Sequence, residues 1–180
     1  MVEDPEIELW VIDEVFFKLF GTTCKMWIPP EDFDPFVLHN PARENAKYYG
    51  AVRLRDGKFV YLKVEGVFNG DNCFTFLKYL RKITARSSKK TVILLDRASY
   101  HRAKVHKKWR DACSDKFCLE FLPSGSPELS PIERVWKLTR RICTHNRYFP
   151  AIDDIVASVE SQFDQWRHGS EALQRLCAIS

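Results

Sequence analysis

No apolar stretch in the 180-residue chain approaches the roughly 18 residues that a membrane-spanning helix requires. The opening residues, MVEDPEIELW, lack both the basic start and the apolar core of a secretory signal peptide. The six cysteines, at positions 24, 73, 113, 118, 143 and 177, form no CxxC pair and show no Cys/His zinc spacing. They are therefore expected as reduced, mostly buried thiols. The expected compartment is the cytoplasm (with the nucleoid) in a prokaryote, or the nucleus in a eukaryote. Internal repeats and low-complexity tracts are also missing. So, almost entirely, is negative charge from one region: between Lys78 and Arg110 there are twelve Lys/Arg and a single acid, Asp96.

The residues that are present describe a globular chain. Apolar residues make up 45% and charged residues 29%, and the length suits one domain with a real core. We expect a single domain over 1–180, with 1–8 as a loose lead-in. The net charge of +4 conceals an asymmetry, because residues 1–36 carry nine acids and two bases and the remainder therefore carries +11. Arg134, Lys137, Arg140, Arg141 and Arg147 form a second basic group. A lone aspartate within a basic region suggests an acidic site facing a polyanion. The plainer alternative is a solvated helix surface.

Leu9 to Phe20 reads as a strand with apolar residues on both faces, as in a sheet covered on both sides. Leu9, Val11, Asp13, Val15 and Phe17 share one face; Trp10, Ile12, Glu14 and Phe16 share the other. Residues 28–41, rich in Pro and Asp, read as a loop. Strands are expected at Tyr48–Leu54 and Phe59–Val64 around an Asp56-Gly57 turn. A helix follows over 69–83, with the stripe Phe74, Leu77, Leu80 and Ile83. Lys90–Asp96 reads as a central strand, His101–Ala112 as a basic helix, and Phe117–Leu122 as a strand. Ser130–Thr144 and Ile152–Trp166 read as helices, the first with Pro131 at its first position. Glu171–Ser180 is left as a possible short helix. Three strands followed by alternating helix and strand predict an α/β fold: a mixed five-stranded sheet with helices on both faces.

Asp13, Asp96 and Glu133 interrupt or adjoin these apolar elements. Burying an ionised carboxylate costs several kcal/mol unless it is paired or binds a metal. Asp96 closes its strand at the carboxyl end, where ligands bind in open α/β sheets, and pairing with the first strand would bring Asp13 beside it. Hard divalent cations prefer such oxygen ligands, and two ions can serve the attacking and leaving oxygens of a phosphoryl transfer. Each acid has a plainer role open to it. Asp13 can pair with a buried Arg. Asp96 can cap the next helix. Glu133 can close a capping box with Ser130. Glu14 faces away from Asp13 and reads as structural or supporting. His101 is open between a phosphate contact and a helix cap. Arg97 and Arg102 are candidate phosphate contacts, and Lys137 and Arg140 face either DNA or water. The stripe Ile132, Val135, Trp136 and Ile142 reads as core.

Three blocks, VIDEVFF, VILLDRASYHRAKV and LPSGSPELSPIERVWKLTRR, resemble the DDE endonuclease (catalytic) domain of mariner-superfamily insertion-sequence transposases. The likeness covers about residues 7–165, and the 36 residues between Asp96 and Glu133 suit it. The resemblance implies an RNase H-like fold and Asp13, Asp96 and Glu133 as catalytic, metal-binding triad. It implies Mg²⁺, two ions with Mn²⁺ as substitute, and cut-and-paste transposition by a homodimer. Its double-stranded DNA partners would be terminal inverted repeats and target DNA. Beside this implied activity, Arg97, His101, Arg102, Lys104, Lys107, Lys108, Lys137, Arg140 and Arg141 are the expected DNA contacts. Two departures lie outside the triad: Arg97 stands where the family often has Asn, and LSPIE where it often has LNPIE. The helix-turn-helix module that usually precedes this domain is not in the chain. Two rivals remain, a catalytically inactive DNA-binding derivative and a general nuclease of the same fold.

Overall fold

The computed structural model describes residues 4–20, 22–25, 27, 29, 36, 38–123 and 130–178. The loop expected over 28–41 lies mostly outside the described residues, as do residues 124–129 ahead of Glu133. In chain order the elements are β1 (Ile7–Lys18), β2 (Asn45–Arg53), β3 (Phe59–Val64), α1 (Gly70–Thr84), β4 (Lys90–Leu95), α2 (Lys107–Cys113), β5 (Phe117–Phe121), α3 (Ile132–Cys143), α4 (Ile152–Gln165) and α5 (Glu171–Leu176). The strands form one mixed sheet in the order β3-β2-β1-β4-β5. β1 lies at its centre, antiparallel to β2 and parallel to β4.

The two-sided apolar pattern of β1 has its cause in this central position. Leu9, Val11, Val15 and Phe17 pack against α3, α4 and α5, through Trp136, Phe163 and Leu173 among others. Trp10 and Ile12 point the opposite way into a second core, with Phe76, Leu77 and Leu80 of α1 and Phe117 of β5. Each such side chain contributes about 1.5–3 kcal/mol when fully buried, and together they fix the register, since a one-residue slip would reverse both faces.

α1 begins where Asn69 accepts from the amides of Asp71 and Asn72, while Asn72 accepts from the Asn69 amide. Its buried face is centred on Cys73, Phe76, Leu77 and Leu80, turned from the expected stripe. Phe74 instead meets Trp109 of α2 and His106. α3 likewise buries Ile132, Val135, Trp136, Thr139 and Cys143, leaving Ile142 exposed.

The basic helix expected at His101–Ala112 is broken. Two short 3₁₀ turns, Ser99–Arg102 and Lys104–His106, precede α2, with Ala103 extended between them. Both His101 and His106 are fully buried. On one continuous helix, residues five apart would diverge by about 140°, at about 100° per residue; the break at Ala103 lets both rings turn inward. Close packing against α1 accompanies the break, since a Cβ added to Gly70 would lie 2.9 Å from that of Ala103. Among the described residues the cysteines are free thiols, and no helix is long and apolar enough to cross a membrane.

Candidate active site

The two aspartates are carried by adjacent strands of the sheet. β1 and β4 pair as far as Val11 opposite Leu94; Asp13 and Asp96 each lie two residues beyond that last pair, on strands about 4.8 Å apart. Val92 and Leu94 face the α3 side. Asp96 lies one residue beyond β4, and its carboxylate turns to His101, which stands beside Glu14. The expected pairing of the two strands is therefore present, and the acids sit at the carboxyl end of β4.

Asp13 is half-buried and accepts a hydrogen bond through Oδ2 from the Trp136 indole Nε1–H at 3.0 Å. Burial first, and then the neighbouring Glu14 carboxylate, push its pKa up to about 8. The buried arginine considered as its partner is absent among the described residues, so Asp13 has no counter-charge. Asp96 is largely exposed, with 61% of its side chain accessible. Its Oδ1 accepts from the Ala98 amide at 2.9 Å and from His101 Nδ1–H at 2.7 Å. It thus caps the turn that follows, and Oδ2 has no protein partner among the described residues.

Glu133 lies on the first turn of α3, three residues before Trp136 and so on a neighbouring part of the helix surface. The capping box with Ser130 does not form: the N-cap is Pro131, and no side chain caps the helix. The Glu133 amide bonds the Ser130 backbone carbonyl at 3.2 Å instead, which leaves the carboxylate free of hydrogen bonds and ion pairs among the described residues.

His101 does not sit as a DNA contact would. It has no exposed surface and lies between Asp96 and Glu14, with Nε2 3.3 Å from Glu14 Oε1. Burial alone would lower its pKa, but hydrogen bonding and charge from Glu14 and Asp96 outweigh it and raise it. Burial would raise Glu14; hydrogen bonding and charge from His101 hold it below the usual range instead. The other expected contacts remain at or near the surface. Arg102, Lys104, Lys107, Lys108, Lys137 and Arg141 are exposed. Arg97 is exposed and donates through Nε to the Leu122 carbonyl. Arg140 is half-buried, its guanidinium over the Phe17 ring.

Two contributors escaped the sequence reading. Trp136 belongs to the apolar stripe of α3, yet a buried indole N–H usually finds a partner, and here that partner is Asp13. Gly50, opposite Asp13 in the β1–β2 pairing, makes room for that ring. A Cβ there would come within 2.3 Å of Trp136 Cη2.

The carboxylates supply hard oxygen donors, and Asp13 lacks a cation, so the donor set fits a divalent metal such as Mg²⁺. Among the described residues no three His, Cys, Asp or Glu side chains already converge at metal-binding distance.

Acids at the carboxyl end of a mixed five-stranded sheet, with helices on both faces, define the RNase H-like class of transposase and integrase catalytic domains. The chain belongs to the DDE superfamily endonuclease family, which matches residues 8–156. The Mos1 mariner transposase catalytic domain superposes with a TM-score of 0.60 at 15% identity, covering 94% of this chain and 74% of that one. The Mos1 paired-end complex with Mn gives 0.64 at 15% identity, over 94% of this chain and 51% of that one. A simian T-cell lymphotropic virus intasome gives 0.52 at 11% identity, over 91% and 55%. In sequence, the y4pE/y4sA protein of Sinorhizobium fredii (strain NBRC 101917 / NGR234) is 42% identical over 65 residues, 36% of this chain and 44% of that protein. The chain thus spans less than half of that relative and about half of the Mos1 chain in its DNA complexes.

Proposed function

We propose that this chain is the catalytic domain of a DNA transposase and that Asp13, Asp96 and Glu133 are its catalytic carboxylates, holding Mg²⁺ or, in its place, Mn²⁺. What supports this reading is that the two adjacent, parallel-paired strands β1 and β4 carry Asp13 and, just past its end, Asp96, with Glu133, unpaired among the described residues, on the helix that packs over β1. The Mos1 structures, which share the fold, include complexes with transposon-end DNA and with Mn.

When bound, the divalent ions activate the attacking oxygen and offset charge on the phosphate. The protein's part is to hold and to orient. Asp13 and Asp96, from adjacent strands, and Glu133, from α3, would hold the cations. Arg97, Arg102, Lys104, Lys107, Lys108, Lys137, Arg140 and Arg141 hold the DNA phosphates near the acids. Water adds to the phosphorus at an element end as the P–O3′ bond breaks, and the released 3′-hydroxyl then attacks a target phosphodiester, joining its 5′-phosphate as the target 3′-oxygen leaves. A homodimer brings two ends together.

Strand cleavage of labelled duplex carrying element ends tests this, with Mg²⁺ or Mn²⁺, for the wild type and Asp96→Asn. We expect cleavage that needs the metal and is abolished in the variant, whose circular dichroism stays unchanged. Equal cleavage by both would remove Asp96 from the mechanism. DNA affinity that is salt-sensitive but indifferent to both metal and Asp96, without cleavage, would favour the inactive DNA-binding derivative.

A further inference from the structure

Asp96 stands beyond the end of β4 with most of its side chain in solvent, where a carboxylate would ordinarily sample several rotamers. Here it does not move freely. Both contacts fall on a single oxygen, Oδ1, which accepts from the Ala98 amide and from His101 Nδ1–H at 2.9 and 2.7 Å. The histidine is itself held firmly. Its amide donates to the Ala98 carbonyl at 3.1 Å, its carbonyl accepts from Arg110 Nη1 at 3.2 Å, and Tyr100 packs edge-on at 4.8 Å between ring centres. On the far side of the ring is Glu14, which follows Asp13 in β1 and has a side chain 9% exposed; its Oε1 lies 3.3 Å from His101 Nε2, a charge contact without a formed hydrogen bond.

We infer that His101 is a positioning residue: braced by Glu14, it pins one oxygen of Asp96 so that the other is presented to a divalent cation. The inference rests on the reading of Asp96 as a metal ligand. Through Glu14, the residue after Asp13 in β1, the histidine thereby links the two strands that carry the aspartates. A histidine that merely filled the core would not need a carboxylate on each ring nitrogen. Partners of this kind behind a ligand typically change metal affinity about 10–100-fold.

The test is Mn²⁺ binding by calorimetry, with metal-free thermal melting, on the wild type, His101→Ala, His101→Asn and Glu14→Gln. Asparagine places an amide N–H close to where Nδ1 sits. We expect His101→Ala to weaken Mn²⁺ binding about 10–100-fold, His101→Asn to recover most of that loss, and Glu14→Gln to lose less than His101→Ala. Mn²⁺ affinity should not track melting temperature across the set. If His101→Ala does not fold, the other two variants carry the comparison. Equal Mn²⁺ affinity in all folded variants, or losses that follow melting temperature alone, would overturn the inference while leaving the metal site standing. A wild type that binds no Mn²⁺, alone or with duplex DNA, would overturn the reading of the site itself.

Discussion

Trp136 reaches across from α3 and donates its indole Nε1–H to Asp13 Oδ2 at 3.0 Å, tying the central strand to the helix that bears Glu133. The ring is almost fully buried and also meets Phe59 edge-on. Trp136→Phe retains much of the packing and removes the donor. With its pKa raised to about 8, Asp13 is mostly protonated at neutral pH, and a hydrogen bond to a neutral carboxyl is worth about 0.5–1.5 kcal/mol. We expect chemical denaturation to show a loss of that order, added to a smaller cavity cost. A variant as stable as the wild type would mean that the indole N–H contributes nothing beyond volume.

Gly50 is the other half of that arrangement. Its position opposite Asp13 leaves the space into which the indole extends; a Cβ would approach Trp136 Cη2 to 2.3 Å and Phe59 Cζ to 2.8 Å. Gly50→Ala therefore overpacks the site, at a cost of about 1–3 kcal/mol. Combined with Trp136→Phe, which draws back the crowding edge, the loss should be less than the sum of the two single losses. Strict additivity in the double-mutant cycle would show that the two residues do not compete for this space.

The strands and most helices are legible in local pattern because they obey simple periodicities. Leu9 to Phe17 alternates between two apolar faces, and only a central strand needs both. Phe59–Val64 is found to the residue. The helix around His101 is misread because its composition is helical while its two histidines must both face inward, a tertiary demand that forces the break at Ala103. The aspartate pair is legible as charges in apolar strands. The partners that hold it are not, since Trp136 lies 123 residues from Asp13 and no local pattern connects them. Glu133 shows the opposite case: Ser130 and Glu133 have the spacing of a capping box, yet the helix starts from Pro131 and the carboxylate makes no capping hydrogen bond.

Far from the acids, the β2–β3 turn carries an ion cluster with its own pH dependence. Arg53 donates through Nε and Nη2 to both oxygens of Asp56, at 2.9 and 2.6 Å, and through Nη1 to the buried Glu8. Burial opposes ionisation of Asp56, but Arg53 and the Lys58 amide outweigh it and hold its pKa below the usual carboxylate value. A depressed carboxylate contributes stability that is present above its unfolded pKa of about 3.9 and is lost as pH falls through the lower folded value. Asp56→Asn should therefore reduce stability at pH 7 and narrow its gap to the wild type on acidification below about pH 4. Melting curves across pH check this; a gap of constant size would show that Asp56 stabilises the turn without its charge.

Lys107 and Lys108 open α2 with exposed side chains, while Arg110 on the same helix turns inward to the His101 carbonyl. The two lysines are thus the cations of this helix left available to a polyanion near Asp96. Each phosphate contact releases condensed counterion, so the logarithm of DNA affinity falls with the logarithm of salt by about 0.9 per contact on duplex DNA. Replacing both with Ala should weaken duplex binding and reduce the salt slope by about 1.8 if each holds one phosphate. Neither side chain supports the core, so the melting temperature should stay the same. A filter or anisotropy titration at several salt concentrations measures the slope directly. An unchanged slope with weaker binding would mean that the lysines act on the fold of the 3₁₀ region, and an unchanged affinity would place the DNA on another face, leaving Lys137, Arg140 and Arg141 of α3 as its remaining cationic track.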